Sequence, residues 1–414
     1  MHPVIVIMFD GVSADHLARH PARTPHLAAL ARRGLLVERV AADVPATSLP
    51  GRTSILTGVA GDVHGIYGNT IWDGERFRYA NPDDVRVATL PRLAQDAGLD
   101  AAVIGYGMVR PEDASLFHHA WWANEMLQRA RDEAPIPADE GWLRTSRHRD
   151  PSGRLGALAA GGLPAGVPDA YAGDRWHYFL SELAGDQTML QWTAGLATGD
   201  APPDLLLTEI LTPDTVMHMA GHESPFSHWS ITFADSLLGD LVSALERAGR
   251  LEETTIVVTS DHGHGPVERA LHPQEILPGR PLSSEGAVLY VVVDGAADAG
   301  RVEARLAEHG VRRIRGDAHL PADRQGVLAT FVAPPGAAFE GRPADAEPGT
   351  VAGPARYRSS HGFAPGHVSD ERIFVAAGPG ITPAVRARAA SEDVAATLAS
   401  LIGVGLDGSG SSLL

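Results

Sequence analysis

The chain reads as an α/β protein with a doubly wound, mostly parallel central sheet flanked by helices and a small inserted α+β subdomain. Three observations predict this. Short apolar runs, several rich in β-branched residues, recur at Val4–Phe9, Leu35–Val40, Ala101–Tyr106, Asp204–Leu211, Thr254–Ser260 and Arg372–Ala377, as expected of strands covered on both faces. Helical stretches separate many of them, at Thr24–Gly34, Leu90–Ala97, Trp229–Ala248 and Ser391–Leu401, so strand and helix alternate. Polar residues able to do chemistry follow several runs directly, where open α/β sheets bind ligands.

At 414 residues and 44% hydrophobic the chain can bury a large core. Its 51 acidic and 34 basic residues leave a net charge of −17, and without lysine every fixed cation is Arg. That balance argues against a nucleic-acid polymer as partner, and a small anionic substrate would need local positive charge, most economically bound metal. The absence of cysteine excludes a disulfide frame and thiolate metal sites. The first ten residues lack a basic n-region and their apolar run is too short to span a bilayer, so a cytoplasmic protein without a membrane partner is expected.

Taken in order, Val4–Phe9 ends in Asp10-Gly11 and is predicted as a central parallel strand. Ser48, with Pro50 behind it and Gly58 ten residues on, marks a helix start; backbone N–H groups and the helix dipole there suit a phosphoryl or sulfuryl group. His64-Gly-Ile and Asn69 follow. Residues 111–200, with His118, His119, Trp121 and Trp122, read as an insertion over the sheet edge and part of a substrate wall. After the Asp204–Leu211 run, Asp214 and His218 share one face of a helical turn. After Thr254–Ser260 come Asp261, His262 and two glycines that let the backbone bend. Residues 266–355 are expected as an inserted cap, with 1–265 and 356–414 as the core; His361 lies just ahead of the last strand. His222, His264, His272 and His367 have no assigned role, and 403–414 is expected to be loose.

The ordered set Asp10-Gly, Ser48-x-Pro, His64-Gly-Ile with Asn69, Asp214-x-x-x-His218, Ser260-Asp-His-Gly263 and His361-Gly-Phe363 resembles the alkaline phosphatase superfamily, in particular the type I phosphodiesterase/nucleotide pyrophosphatase family, over about residues 4–402, leaving out the 111–200 stretch. The resemblance implies an alkaline phosphatase-like fold. It implies one Zn²⁺ held by Asp10, Asp261, His262 and Ser48, a second held by Asp214, His218 and His361, and Asn69 donating to a nonbridging substrate oxygen. Independently of the family, three carboxylates and three imidazoles suit Zn²⁺ and admit Mn²⁺. The expected reaction is attack of Ser48 on phosphorus, giving a phosphoserine that water then hydrolyses. Leu49 and Arg52, beside Ser48, are expected on the substrate side.

The sequence departs from the family in having Ser rather than Thr at 48, Leu49 in place of an aromatic, and Gly51-Arg52 in place of Asn-His; loss of the aromatic removes a stacking wall for a nucleobase. Ser48-Leu-Pro-Gly-Arg52 also fits a serine-type sulfatase signature. A phosphonoacetate-type phosphonate hydrolase and a non-catalytic binding or scaffold homologue are the remaining alternatives.

Overall fold

A computed structural model of the chain describes residues 2–123, 148–164 and 175–414. An eight-stranded sheet forms its centre, in the spatial order Ala384–Arg386, Leu35–Val40, Arg372–Ala377, Thr255–Thr259, Val4–Phe9, Leu205–Ile210, Ala101–Ile104, Leu116–His118. Only Arg372–Ala377 runs against the rest. Val4–Phe9, Leu205–Ile210 and Thr255–Thr259 are buried at every position, which is why they lack polar alternation.

Two groups of helices cover the sheet. Pro25–Arg33, Arg175–Thr198, Thr212–Ala220 and Pro225–Arg247 pack on one another, and Ser48–Thr57, Leu90–Asp96 and Ser391–Leu401 form the other group. Buried carboxylates cap helix starts: Asp235 accepts from the His26 and Leu27 N–H groups at 2.9 and 2.8 Å. Asp186 accepts from Leu211 N, Thr212 N and Thr212 Oγ1 at 3.0, 2.9 and 2.7 Å, which fixes the helix that carries Asp214 and His218.

Register decides which residues meet. Phe9 pairs with Ile210 and Met8 with Thr259, so Asp10, Asp261 and the helix opened by Thr212 emerge at one edge. The antiparallel strand begins at that same edge, with Phe374 opposite Thr259, and brings the preceding His361 segment over it.

A second apolar core lies outside the sheet. It is built on the antiparallel strands Leu282–Glu285, Val288–Val292, Leu328–Val332 and Arg312–Arg313 with the helix Gly295–Ala307, all within the predicted cap region.

Two expectations need correction. Where described, the 111–200 stretch is not a loose insertion: Leu116–His118 is the sheet's outer strand, and Trp121 and Trp122 turn inward, donating to Asp186 and Glu209. Apolar pattern missed it because the strand is only three residues long. The 403–414 tail is tied down, with Ser411 N donating to Asp393 and Leu413 N to Thr397 at 2.8 and 3.0 Å. Among the described residues no helix is long and apolar enough to cross a membrane.

Candidate metal and phosphoryl-transfer site

Ser48 is the first residue of the helix Ser48–Thr57, and its Oγ lies 3.1 Å from His262 Nε2. Thr47, the residue before it, is fully buried, and the hydroxyl that contacts the cluster is that of Ser48. The helix sits close because residue 51 is Gly: a Cβ there would collide with the Asp261 carbonyl oxygen. Gly11, in the left-handed region at φ 71°, serves the same end, since a Cβ would come within 2.9 Å of His264 and 3.1 Å of Asp214.

Around Ser48 the side chains converge in overlapping groups that could hold metal: Asp10, Asp261 and His262; Asp214, His262 and His361; Asp214, His218 and His264. His262 Nε2 is 3.5 Å from Asp10, 3.6 Å from Asp261 and 3.9 Å from Asp214, and His218 Nε2 is 3.5 Å from Asp214. Ligands of one tetrahedral ion lie roughly 3.3 Å apart, so these spacings fit shared coordination.

The imidazoles are set for it. His262, His218 and His361 each place Nδ1 against a backbone carbonyl, of Gly263, Ser359 and Ala46, at 3.0, 3.0 and 3.2 Å. Carbonyls only accept, so Nδ1 carries the proton and Nε2 is left as a lone pair, the tautomer a metal needs. His361 is kept neutral by burial and by the neighbouring His262 and His218 rings, which hold it well below the usual imidazole range.

Charge argues the same way. Asp10, Glu209 and Asp261 are almost wholly buried around one cation, Arg52, with Asp214 beside them. Burial pushes Asp10 well above the carboxylate range in spite of Arg52, and its Oδ1 is buried without a hydrogen-bond partner. A buried carboxylate in that position is stabilised by a bound cation. Asp214 differs: burial raises it, but the His218, His264 and His262 imidazoles hold it well below the usual range.

Arg52 and Leu49 are not where they were expected. The Arg52 guanidinium points inward, with Nε on Glu209 at 3.0 Å, Nη1 on Asp261 at 2.9 Å and Nη2 on Asp10, and packs 5.5 Å from the Trp122 ring centroid. All three nitrogens are engaged with carboxylates, because a helix packed this tightly aims its fifth residue at the sheet. Leu49 is buried in the main core, and what it offers the site is its N–H, donated to Asn69 Oδ1 at 2.8 Å. That bond assigns Nδ2 of Asn69 as the free donor.

Sequence reasoning missed two partners. His264 gives Nε2–H to Asp214 Oδ1 at 2.7 Å and faces the Ser359 hydroxyl at 3.1 Å through Nδ1; its place two residues after His262 was the available signal. Glu285, from the second core, accepts from Asn69 N at 2.7 Å and from Thr70; nothing local marked it. His64 braces the helix, with Nε2 3.1 Å from Ser54 Oγ. His272 faces the Glu340 carbonyl at 3.2 Å, and His367 packs on Phe363 with ring centroids 4.7 Å apart.

The chain is 23% identical over 264 residues to human bis(5'-adenosyl)-triphosphatase ENPP4, covering 63% of this chain and 47% of that one. A 98-residue stretch is 38% identical to human N-sulphoglucosamine sulphohydrolase, 24% of this chain and 18% of that one. The chain spans about half the length of the pyrophosphatase/phosphodiesterase relatives it matches. Its fold is that of human ectonucleotide pyrophosphatase/phosphodiesterase 5, with a TM-score of 0.71 at 17% identity over 99% of this chain and 97% of the other. The profile of the type I phosphodiesterase / nucleotide pyrophosphatase family matches residues 4–365, and the chain belongs to that family.

Proposed function

We propose that the chain is a two-metal phosphodiesterase/pyrophosphatase that transfers the phosphoryl centre of a small anionic ester to Ser48. The observation that carries the reading is the common tautomer of His262, His218 and His361, each with Nδ1 on a backbone carbonyl and the Nε2 lone pair turned toward the carboxylates and Ser48. On this reading Asp10, Asp261, His262 and Ser48 would hold one Zn²⁺, and Asp214, His218 and His361 the other, with Mn²⁺ as a substitute. The ions, when bound, would lower the pKa of the serine hydroxyl and neutralise the leaving oxygen.

The protein's own groups supply the rest. Ser48 Oγ gives up its proton to solvent and forms the bond to phosphorus as the bond to the leaving oxygen breaks; the phosphorylated serine keeps the substrate's other substituent until water cleaves it from Oγ. Asn69, its carbonyl fixed by Leu49 N–H, donates from Nδ2 to a nonbridging oxygen. Arg52 and His264 are positioning residues that orient Asp10, Asp261 and Asp214. A nucleotide anhydride is the substrate class that the relative's name, bis(5'-adenosyl)-triphosphatase, supports.

The test compares zinc-loaded enzyme on bis-aryl phosphate, aryl phosphate, phosphonoacetate and aryl sulfate. The diester should turn over fastest, and Ser48→Ala should lose at least about a thousandfold in kcat while keeping the zinc assigned to Asp214, His218 and His361, to which Ser48 contributes no ligand. A serine-type sulfatase is the second reading, favoured by the short sulphohydrolase likeness; aryl sulfate as best substrate would establish it and overturn the first.

A further inference from the structure

A second histidine cluster lies apart from the site just described and shares no residue with it. His16 is in the helix Ala14–Arg19, His20 is the residue that ends it, and His228 is in the first turn of Pro225–Arg247. Their rings face one another with centroids 4.8, 5.3 and 4.4 Å apart, and one ring nitrogen of each lies within 4.8 Å of the others. Glu223 reaches into the group: its carboxylate is 2.8 Å from His20 Nε2, 3.6 Å from His228 Nε2 and 3.7 Å from His16 Nδ1.

The cluster is unfinished as it stands. His16 is 2% exposed, yet neither of its ring nitrogens has a hydrogen-bond partner, and His228 Nδ1 is likewise buried and unpartnered. A buried imidazole with both nitrogens unmet costs free energy that a ligand would recover. Burial holds His16 down to about 3, so its ring is neutral at physiological pH and has a lone pair to give.

We propose that His16, His20 and His228, with Glu223 as fourth ligand, bind a divalent transition-metal ion of the zinc class. Three imidazoles and one carboxylate match Zn²⁺ or Co²⁺ and not the all-oxygen sites of Mg²⁺ or Ca²⁺. The ion takes the place of the proton between His20 and Glu223, and the ligands close by less than about 1.5 Å to reach tetrahedral spacing. Arg19, which also contacts Glu223, keeps Asp15 as a partner at 2.9 Å. The ion staples the segment that follows Asp10-Gly11 to the turn that follows the Asp214–His218 helix, bracing the two chain stretches that deliver those acids.

The decisive measurement is anomalous diffraction at the zinc edge on crystals of the full chain soaked in Zn²⁺, with elemental analysis of the same protein in solution. A peak among His16, His20 and His228 is expected. It should vanish, with loss of one ion per chain, in the His20→Ala/His228→Ala double variant, while any peaks beside Ser48 persist. His20→Asn alone, at the most exposed ring of the three, should also lose the ion and serves if the double variant does not fold. No density there in wild-type crystals, or equal metal content in wild type and variant, overturns the proposal whether or not the site at Ser48 is filled.

Discussion

Arg52 shows how one side chain can matter to a site without touching substrate. Its guanidinium joins Asp10, Asp261 and Glu209, carried by three different strand ends, and no lysine could span them, because an ammonium is a point charge where the guanidinium is a planar fork. Removing it strands buried carboxylates, a change that costs about 3–5 kcal/mol. Arg52→Leu should therefore unfold at markedly lower urea in metal-free protein, and Arg52→Lys should recover little. A loss under about 1 kcal/mol in both would show that the three acids do not depend on it.

At the level of elements, the candidate site is held by contacts between segments far apart in sequence. The strand Leu282–Glu285 belongs to the second core, yet Glu285 holds Asn69 N at 2.7 Å and the Thr70 hydroxyl at 2.9 Å, and Ser283 adds a 2.7 Å bond to the same hydroxyl. The Asn69 loop is thus positioned by the cap as much as by the helix before it. Glu285→Ala should release that loop and lower kcat by up to about a hundredfold, the penalty of a misplaced binding group. Zinc content should stay unchanged, because Glu285 contacts none of the proposed ligands. Loss of zinc with activity would instead make Glu285 a prop for the whole cluster.

For the whole molecule, buried histidines set a pH limit. Burial holds His64 down to about 3, and holds His118, beside His119, down to about 3 as well. In the unfolded chain both rings protonate near pH 6.5. Between these values the unfolded state binds more protons, so stability is complete above about pH 6.5 and falls as the pH drops, by up to about 1.4 kcal/mol per pH unit for each ring. Buried acids raised above their usual range, Asp10 and Glu285 among them, act in the opposite sense, so the difference between proteins is the useful quantity. His64→Gln should flatten the urea-derived stability curve between pH 4 and 6 relative to wild type; parallel curves would mean that His64 titrates normally in the fold.

Much of this was legible in the residues alone. Short apolar runs bounded by turn residues read as strands covered on both faces, so most central strands and the acids at their ends followed from composition and position, though not the strands' order in the sheet; Asp10, Asp214, Asp261 and His262 needed no coordinates to stand out. What the sequence could not specify was direction and distance. Arg52 and Leu49 lie beside Ser48 along the chain, but helix geometry turns both inward; Glu285 carries no local mark, since its partner is 216 residues away, and His264, marked only by its place two residues after His262, meets Asp214 across 50 residues. His16, His20 and His228 form a cluster only because the chain around His20 packs against the helix Pro225–Arg247. Local pattern is written in neighbouring residues, whereas a site is made of side chains whose meeting depends on register and packing, and those are decided only when the whole chain has folded.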